Sequence, residues 1–225
     1  MIPLKDDVPS ERIPFITLGL IGLNVLVFLY QASVAMGGDP RAAEAVAFEF
    51  GATPCRITGA CPVPGDFPSP VATIFTSMFL HGGLLHVGGN MLYLWIFGDG
   101  VEDTLGHARF LALYLLAGVA AALTQVAVHP RSPVPMIGAS GAVSGVLGAY
   151  ILLFPFAGVH MLFVFGFLVK VVRWPALVVL GSGSSSRLSA ESSRSARRRG
   201  AAGRPGARRG LPTSADLRRA RPCCF

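Results

Sequence analysis

His81-Gly82-Gly83-Leu84-Leu85-His86-Val87-Gly88-Gly89-Asn90 opens a longer apolar run, Met91 to Gly106, that reads MLYLWIFGDGVEDTLG. His86 and Asn90 are four residues apart, so on a helix they project from one face, one turn from each other. Polar side chains inside a membrane are expensive and as a rule serve a site. An isolated pair of this kind also occurs as an interfacial histidine beside an amide satisfied between packed helices. The pair therefore marks a place in the chain before it marks a chemistry.

Outward from this stretch the sequence has the composition of a polytopic membrane protein. Of 225 residues, 52% are hydrophobic and 14% charged. A helix needs about 20 apolar residues to cross the hydrocarbon core, and Phe15 to Gly37, which carries no charge, meets that length. It is too long for a signal-peptide core and has no small-residue cleavage site behind a basic start, which predicts a retained span. Further candidate spans are Leu84 to Gly98, His107 to Val128, Ser140 to Phe154 and Val159 to Val172. Several are short, which suits a thinned or water-invaded fold better than isolated lipid-facing helices. The expectation is a multi-pass protein of the cell membrane with the lipid bilayer as its surroundings.

The net charge of +7 is unevenly placed. Residues Ser182 to Phe225 carry 11 arginines against Glu191 and Asp216, which leaves the preceding chain slightly acidic. The basic character thus belongs to the tail and says nothing about the partners of the membrane body. The tail opens on Ser182-Gly183-Ser184-Ser185-Ser186 and has almost no aliphatic residue before Leu211. It cannot bury enough apolar surface to offset its ordering entropy, and disorder is expected over 182–225. Its Arg clusters could meet anionic lipid or nucleic acid, but Phe225 is its only aromatic residue, which argues against base stacking, and no nucleic-acid partner is expected.

Between the first two spans, residues from about 38 to 70 are rich in Pro and Gly and read as a long extramembrane loop. Cys55 and Cys61 lie in it. Their spacing permits a disulfide if the loop faces an oxidising space, the alternative being two unpaired small residues. Two cysteines without nearby histidine make half a ligand set, so no metal site is expected. Lys5, Arg12 and Arg109 fit a cytoplasmic N-terminus, whereas Lys170 and Arg173 are expected at the opposite face.

Gly138-Ala139-Ser140-Gly141 opens another apolar helix. A serine at a helix start sits among unpaired N–H groups, which together with the helix dipole favour a developing oxyanion. GASG alone is weak, because serine is a common N-cap and small residues in membrane helices usually mean close packing. It also differs from the G-x-S-x-G elbow of soluble hydrolases.

The combination is more specific than either part. HGGLLHVGGN followed about 50 residues later by GASG, with FGDGVEDTLG and RFLALYLLAG between them, resembles the rhomboid family of intramembrane serine proteases from Ile2 to about Gly181. The resemblance implies an all-α fold: a polytopic membrane helical bundle, here occupying residues 1–181, that acts on single-span membrane-protein substrates without a cofactor. It assigns the nucleophile to Ser140, within the motif begun by Gly138, and oxyanion support to His86 and Asn90. His81 and Glu102 read as structural, the first near the substrate entrance and the second closing a helix-loop junction.

A serine needs a base. The family uses a Ser-His dyad whose histidine lies on the last core helix in an A-H-x-G-G-F-x-x-G-like pattern. That pattern is missing here, so the dyad histidine and the sixth core helix are absent from the chain as written. The five histidines are His81, His86, His107, His129 and His160. His107 and His160 are not expected to reach Ser140, His160 being placed at the start of a helix. His129 shares a loop with Ser140 but lacks the family context. A shifted reading frame supplies one explanation. Joining the third base of each codon to the next two, the code permits His-Val-Gly-Gly-Phe-Ala-Ala-Gly-Ala-Ala-Leu-Leu-Leu across Pro212 to Phe225. The alternative is an authentic basic tail. Two functions follow: a serine endopeptidase by descent, inactive without its histidine, or a catalytically dead relative that binds membrane-protein segments.

Overall fold

The computed structural model describes residues 2–37, 40–65, 67–165 and 168–179. The tail, with its expected disorder and its frame-shifted histidine, lies outside the described residues. The helices are α1 (Phe15–Met36), α2 (Pro40–Phe50), α3 (Pro54–Ile57), α4 (Pro70–Thr76), α5 (Leu84–Leu105), α6 (His107–Val128) and α7 (Ser140–Leu153), with a 3-10 turn at Ser77–Phe79 after α4. Strands β1 (Ile2–Asp6), β2 (Gly158–Phe165) and β3 (Leu168–Pro175) form one antiparallel sheet in that order.

Helices α1 and α6 are each long and apolar enough to cross a membrane. Their 22 residues extend about 33 Å at about 1.5 Å per residue, against a hydrocarbon core of about 30 Å. The stretch from α4 through its 3-10 turn meets α5 at a bend of 80°, the geometry of a broken span or a re-entrant loop, which makes two spans, or three if the bent pair counts as one. Helix α7 is apolar but has only 14 residues. The protein is mostly helical and multi-pass, as its composition predicts.

Two devices hold the helices together. The first is Glu102, in the last turn of α5, where a carboxylate opposes its own helix dipole. Its placement is explained by α1, which has no acid in its first turn. The N–H groups of Ile16 and Thr17 donate to Glu102 at 2.9 and 2.7 Å, the Thr17 hydroxyl donates at 2.7 Å, and His107 Nδ1 lies 2.6 Å away. One buried carboxylate thus caps α1 and ties it to the α5–α6 junction, the role its position suggested. The second device is small-residue packing. A Cβ on Gly141 would lie 2.5 Å from Ala121 Cβ, and one on Gly145 would overlap Ala117. Helices α6 and α7 therefore approach as closely as their backbones allow, a common solution where lipid supplies no hydrophobic drive. On the other side of α7, Tyr150 packs edge-on against Phe97 of α5 with ring centroids 4.9 Å apart.

The segment expected to be a long loop is more structured than its Pro and Gly content suggested. Alanine-rich PRAAEAVAFEF forms α2, with proline in the first turn where its missing N–H costs nothing. Cys55 and Cys61 are joined by a disulfide, with Cα atoms 5.1 Å apart. Ala52 and Met136 exchange backbone hydrogen bonds at 3.1 and 2.8 Å, and the Cys55 N–H donates to the Ser132 carbonyl at 3.1 Å. This segment is thereby fastened to the loop that leads into α7.

The all-α expectation fails after α7. Val159 to Val172, expected as a fifth span, forms the β2–β3 hairpin, with Val159 opposite Trp174 and Phe163 opposite Lys170. Short apolar runs rich in valine and phenylalanine serve strand and helix alike, and the polar His160 with the cationic Lys170 and Arg173 disfavour burial in lipid. His160 accordingly sits in a strand rather than at a helix start. Strand β1 pairs with β2, Lys5 opposite His160, so the hairpin stays on the N-terminal side of the bundle. Lys170 and Arg173 share a sheet with Lys5 instead of lying at the opposite face. Asp7 accepts from His160 Nε2 at 2.9 Å and pairs with Arg173 at 2.5 Å, and the hydrogen bond from His160 is the main cause that holds its carboxyl below the usual range. The Tyr150 hydroxyl donates to the buried Asp6 at 2.6 Å, fastening the end of α7 to β1.

Candidate active site

Helix α7 begins at Ser140, and Ala139, its N-cap, offers no side-chain cap. The first-turn N–H groups of α7 therefore have no cap from that position, which suits an approaching negative charge. The turn before it is built on Gly138. Its φ of +127° is a conformation that L side chains rarely adopt, and its N–H donates to the Ser77 carbonyl at 2.8 Å. A Cβ at this position would stand 2.7 Å from His86 Cε1 and 2.8 Å from His86 Nε2. The bare Gly138 Cα is what allows the imidazole to lie against the turn that delivers Ser140.

His86 stands in the first turn of α5, exposed, and Asn90 follows one turn later, buried. The Asn90 Nδ2 has no hydrogen-bond partner among the described residues. The His81 ring packs edge-on against that of His86, with centroids 5.2 Å apart. His81 is itself buried, its Nε2 is unpartnered among the described residues, and its backbone N–H donates to Gln31 Oε1 of α1 at 2.9 Å. The structure thus brings His86 to the Gly138 turn, places Ser140 two residues further on at the helix start, and sets Asn90 on the same helix as His86. Gln31 escaped the reading of the motifs. Its signal was a second amide, after Asn24, in the uncharged span from Phe15 to Gly37.

The remaining histidines are elsewhere. His107 is bonded to Glu102 at the far end of α5, 21 residues after His86 in sequence, and Glu102 lies about 24 Å along the helix from His86 at about 1.5 Å per residue. His160 is bonded to Asp7 beside the end of α7. His129 closes α6, exposed, with its Nδ1 3.4 Å from Gln125 Nε2. Among the described residues, no three His, Cys, Asp or Glu side chains converge as a metal centre would require.

Spans of this length, a bent helix pair carrying buried polar groups, and a glycine turn that sets a serine at a helix start define a multi-pass helical membrane protein with an internal polar site. The rhomboid domain profile matches residues 68–193, over half of the chain, and the chain belongs to the rhomboid family. It is 38% identical over 104 residues to Rhomboid protein 1, mitochondrial, of Saccharomyces cerevisiae, an overlap covering 44% of this chain and 30% of that protein. It is 43% identical over 76 residues to Rhomboid protease GluP of Bacillus subtilis, covering 34% and 14% of the two chains. Rhomboid protease AarA of Providencia stuartii is 29% identical over 150 residues, covering 61% and 50%. The matched stretch spans half or less of each of these relatives. The domain match runs past Gly181, where the resemblance read from motifs ends.

Proposed function

We propose that this chain has the architecture of an intramembrane serine endopeptidase that cleaves transmembrane or membrane-proximal segments of other proteins in the cell membrane. Ser140 is its nucleophile, and His86 and Asn90 support the oxyanion. The observation that carries this reading is the approach of His86 to the bare Cα of Gly138, which requires both motifs in one place. In the reaction, Ser140 Oγ attacks the peptide carbonyl as its proton passes to a base. The carbonyl oxygen becomes an anion and meets the first-turn amides of α7, the imidazole and the Asn90 amide. Preorganised donors of this kind are each worth about 100- to 1,000-fold in rate.

The base is missing from this polypeptide. His107 and His160 are held by carboxylates at the other end of the bundle, which supports a chain that is inactive as written. The same observation favours the second reading, a rhomboid-like protein that engages membrane-protein segments without cleaving them. Residues 1–181 form the membrane domain in either case, and 182–225 stand where a sixth helix carrying the histidine would follow in the restored frame.

Three proteins decide the matter: the chain as written, the frame-restored chain, and the restored chain carrying Ser140→Ala, each given a single-span substrate. Positioned proton transfer contributes about 100- to 10,000-fold, so cleavage is expected from the second alone. Cleavage by the chain as written that is lost on Ser140→Ala would make another group the base, with His129 the first to mutate. A restored chain that folds and does not cleave overturns the assignment of Ser140.

A further inference from the structure

Beside the site, where α1 and α2 meet the bend after α4, lies a groove of about 260 Å³ that the reaction does not use. Leu23, Val27 and Tyr30 of α1 form one wall, Val46 and Phe50 of α2 a second, and Phe79 the end. We propose that this groove holds an acyl chain of a phospholipid from the surrounding bilayer.

Three features select an acyl chain over a peptide. The lining has no charged side chain, and the Thr76 hydroxyl at its rim is already spent on the Phe50 carbonyl at 2.5 Å. The Tyr30 carbonyl likewise accepts from Ser33 at 2.7 Å. An extended peptide needs free main-chain partners, whereas a hydrocarbon chain needs none. The groove is also large enough: an apolar cavity of about 150 Å³ already takes up benzene. Finally, it opens on the bilayer-facing side of a spanning helix, where Leu23 and Tyr30 are 45% and 60% exposed and Leu26 beside them 66%. Tyr30 stands about 22 Å along α1 from Phe15, within the span of the hydrocarbon core.

The groove shares a wall with the catalytic bend. Phe79 and Leu80 line it and His81 follows directly, so an occupying chain braces the segment that leads to His86. The binding itself does not rest on the proteolytic reading.

The test reconstitutes the full chain in nanodiscs of phosphatidylcholine carrying a diazirine in mid-chain, followed by irradiation and mapping of labelled residues. Labelling is expected to concentrate on Tyr30, Val46 and Phe50, several-fold above that on Leu116 and Leu123 of α6, which are exposed and do not line this groove. Val46→Trp fills the groove and should reduce its labelling several-fold while leaving α6 unchanged. Leu23→Trp enters from the other wall and serves if the first variant does not fold. Uniform labelling along α1 and α6, or groove labelling that neither tryptophan reduces, overturns the proposal. So does capture in the groove of a diazirine-bearing single-span peptide in preference to the lipid.

Discussion

The two ends of the helix bundle treat buried polar groups in opposite ways. At the N-terminal end, the buried Glu102 receives three hydrogen bonds from α1 and a fourth contact from His107, the buried Asp6 receives the Tyr150 hydroxyl, and the exposed Asp7 is held by His160 and Arg173. At the other end, the buried Asn90 Nδ2 and His81 Nε2 have no partner among the described residues. Buried polar atoms are nearly always bonded, so a satisfied cluster is what stability alone would build. Two unsatisfied donor or acceptor atoms flanking His86 are what a site that must meet a reacting group would keep. Asn24 Oδ1, Thr53 Oγ1 and the Tyr114 hydroxyl, away from His86, are likewise without a partner among the described residues, so the contrast supports the proposed site without locating it.

The comparison is broken most directly at Glu102. Glu102→Ala leaves the first amides of α1 uncapped inside the protein and frees His107 from its partner. Each α1 donor left buried without its acceptor costs about 1–3 kcal/mol. Thermal unfolding in a fixed detergent should show the largest loss of any single substitution discussed, and Glu102→Gln should recover part of it by restoring an acceptor. Equal stability of Glu102→Ala and the parent chain would mean that the cap does not hold α1.

A smaller effect is expected where the two regions meet in one residue. Gly138→Ala demands a positive φ of an L side chain and pushes a methyl group into the His86 ring. Strained backbone positions of this kind cost about 1–3 kcal/mol. The sharper readout is the His86 imidazole itself, whose NMR signals should shift while those of His107 stay in place. An unmoved His86 signal would separate the two motifs and remove the main support for the site.

How much of this was legible in the chain differs along the same axis. The ends of α1 and α6 were readable to within a residue, because a long apolar run bounded by Pro14 and Gly37, or begun at His107 and closed at His129, has one physical solution in a membrane. The junction role of Glu102 was readable only through its place in a family-like motif, and its partner α1 was not, since no spacing rule connects residues about 85 positions apart. Joining two weak motifs led to the expectation of Ser140 beside His86 and Asn90, whereas the approach observed is that of His86 to Gly138. The hairpin was misread because valine, phenylalanine and leucine at 159–172 satisfy either period, and the pairing of β1 that decides between them comes from the far end of the sequence. Helix α2 was hidden by the prolines and glycines around it, although its own alanines favour the helix.

The smallest expected change in stability is at Asn90, and it is the most informative for that reason. A buried amide that braced the fold would be bonded, and its removal would cost about 1–3 kcal/mol through the group left behind. The Nδ2 of Asn90 leaves nothing behind, since none of the described residues uses it. Asn90→Leu should therefore unfold within about 1 kcal/mol of the parent, an apolar side chain of similar size replacing a donor that made no bond. In the frame-restored chain the same substitution should lower cleavage by about 100-fold or more, the usual consequence of losing one oxyanion donor. Its effect should fall on kcat, because the oxyanion exists only in the transition state. A marked loss of stability with kcat unchanged would make Asn90 a structural amide and return that end of the bundle to the same rule as the other.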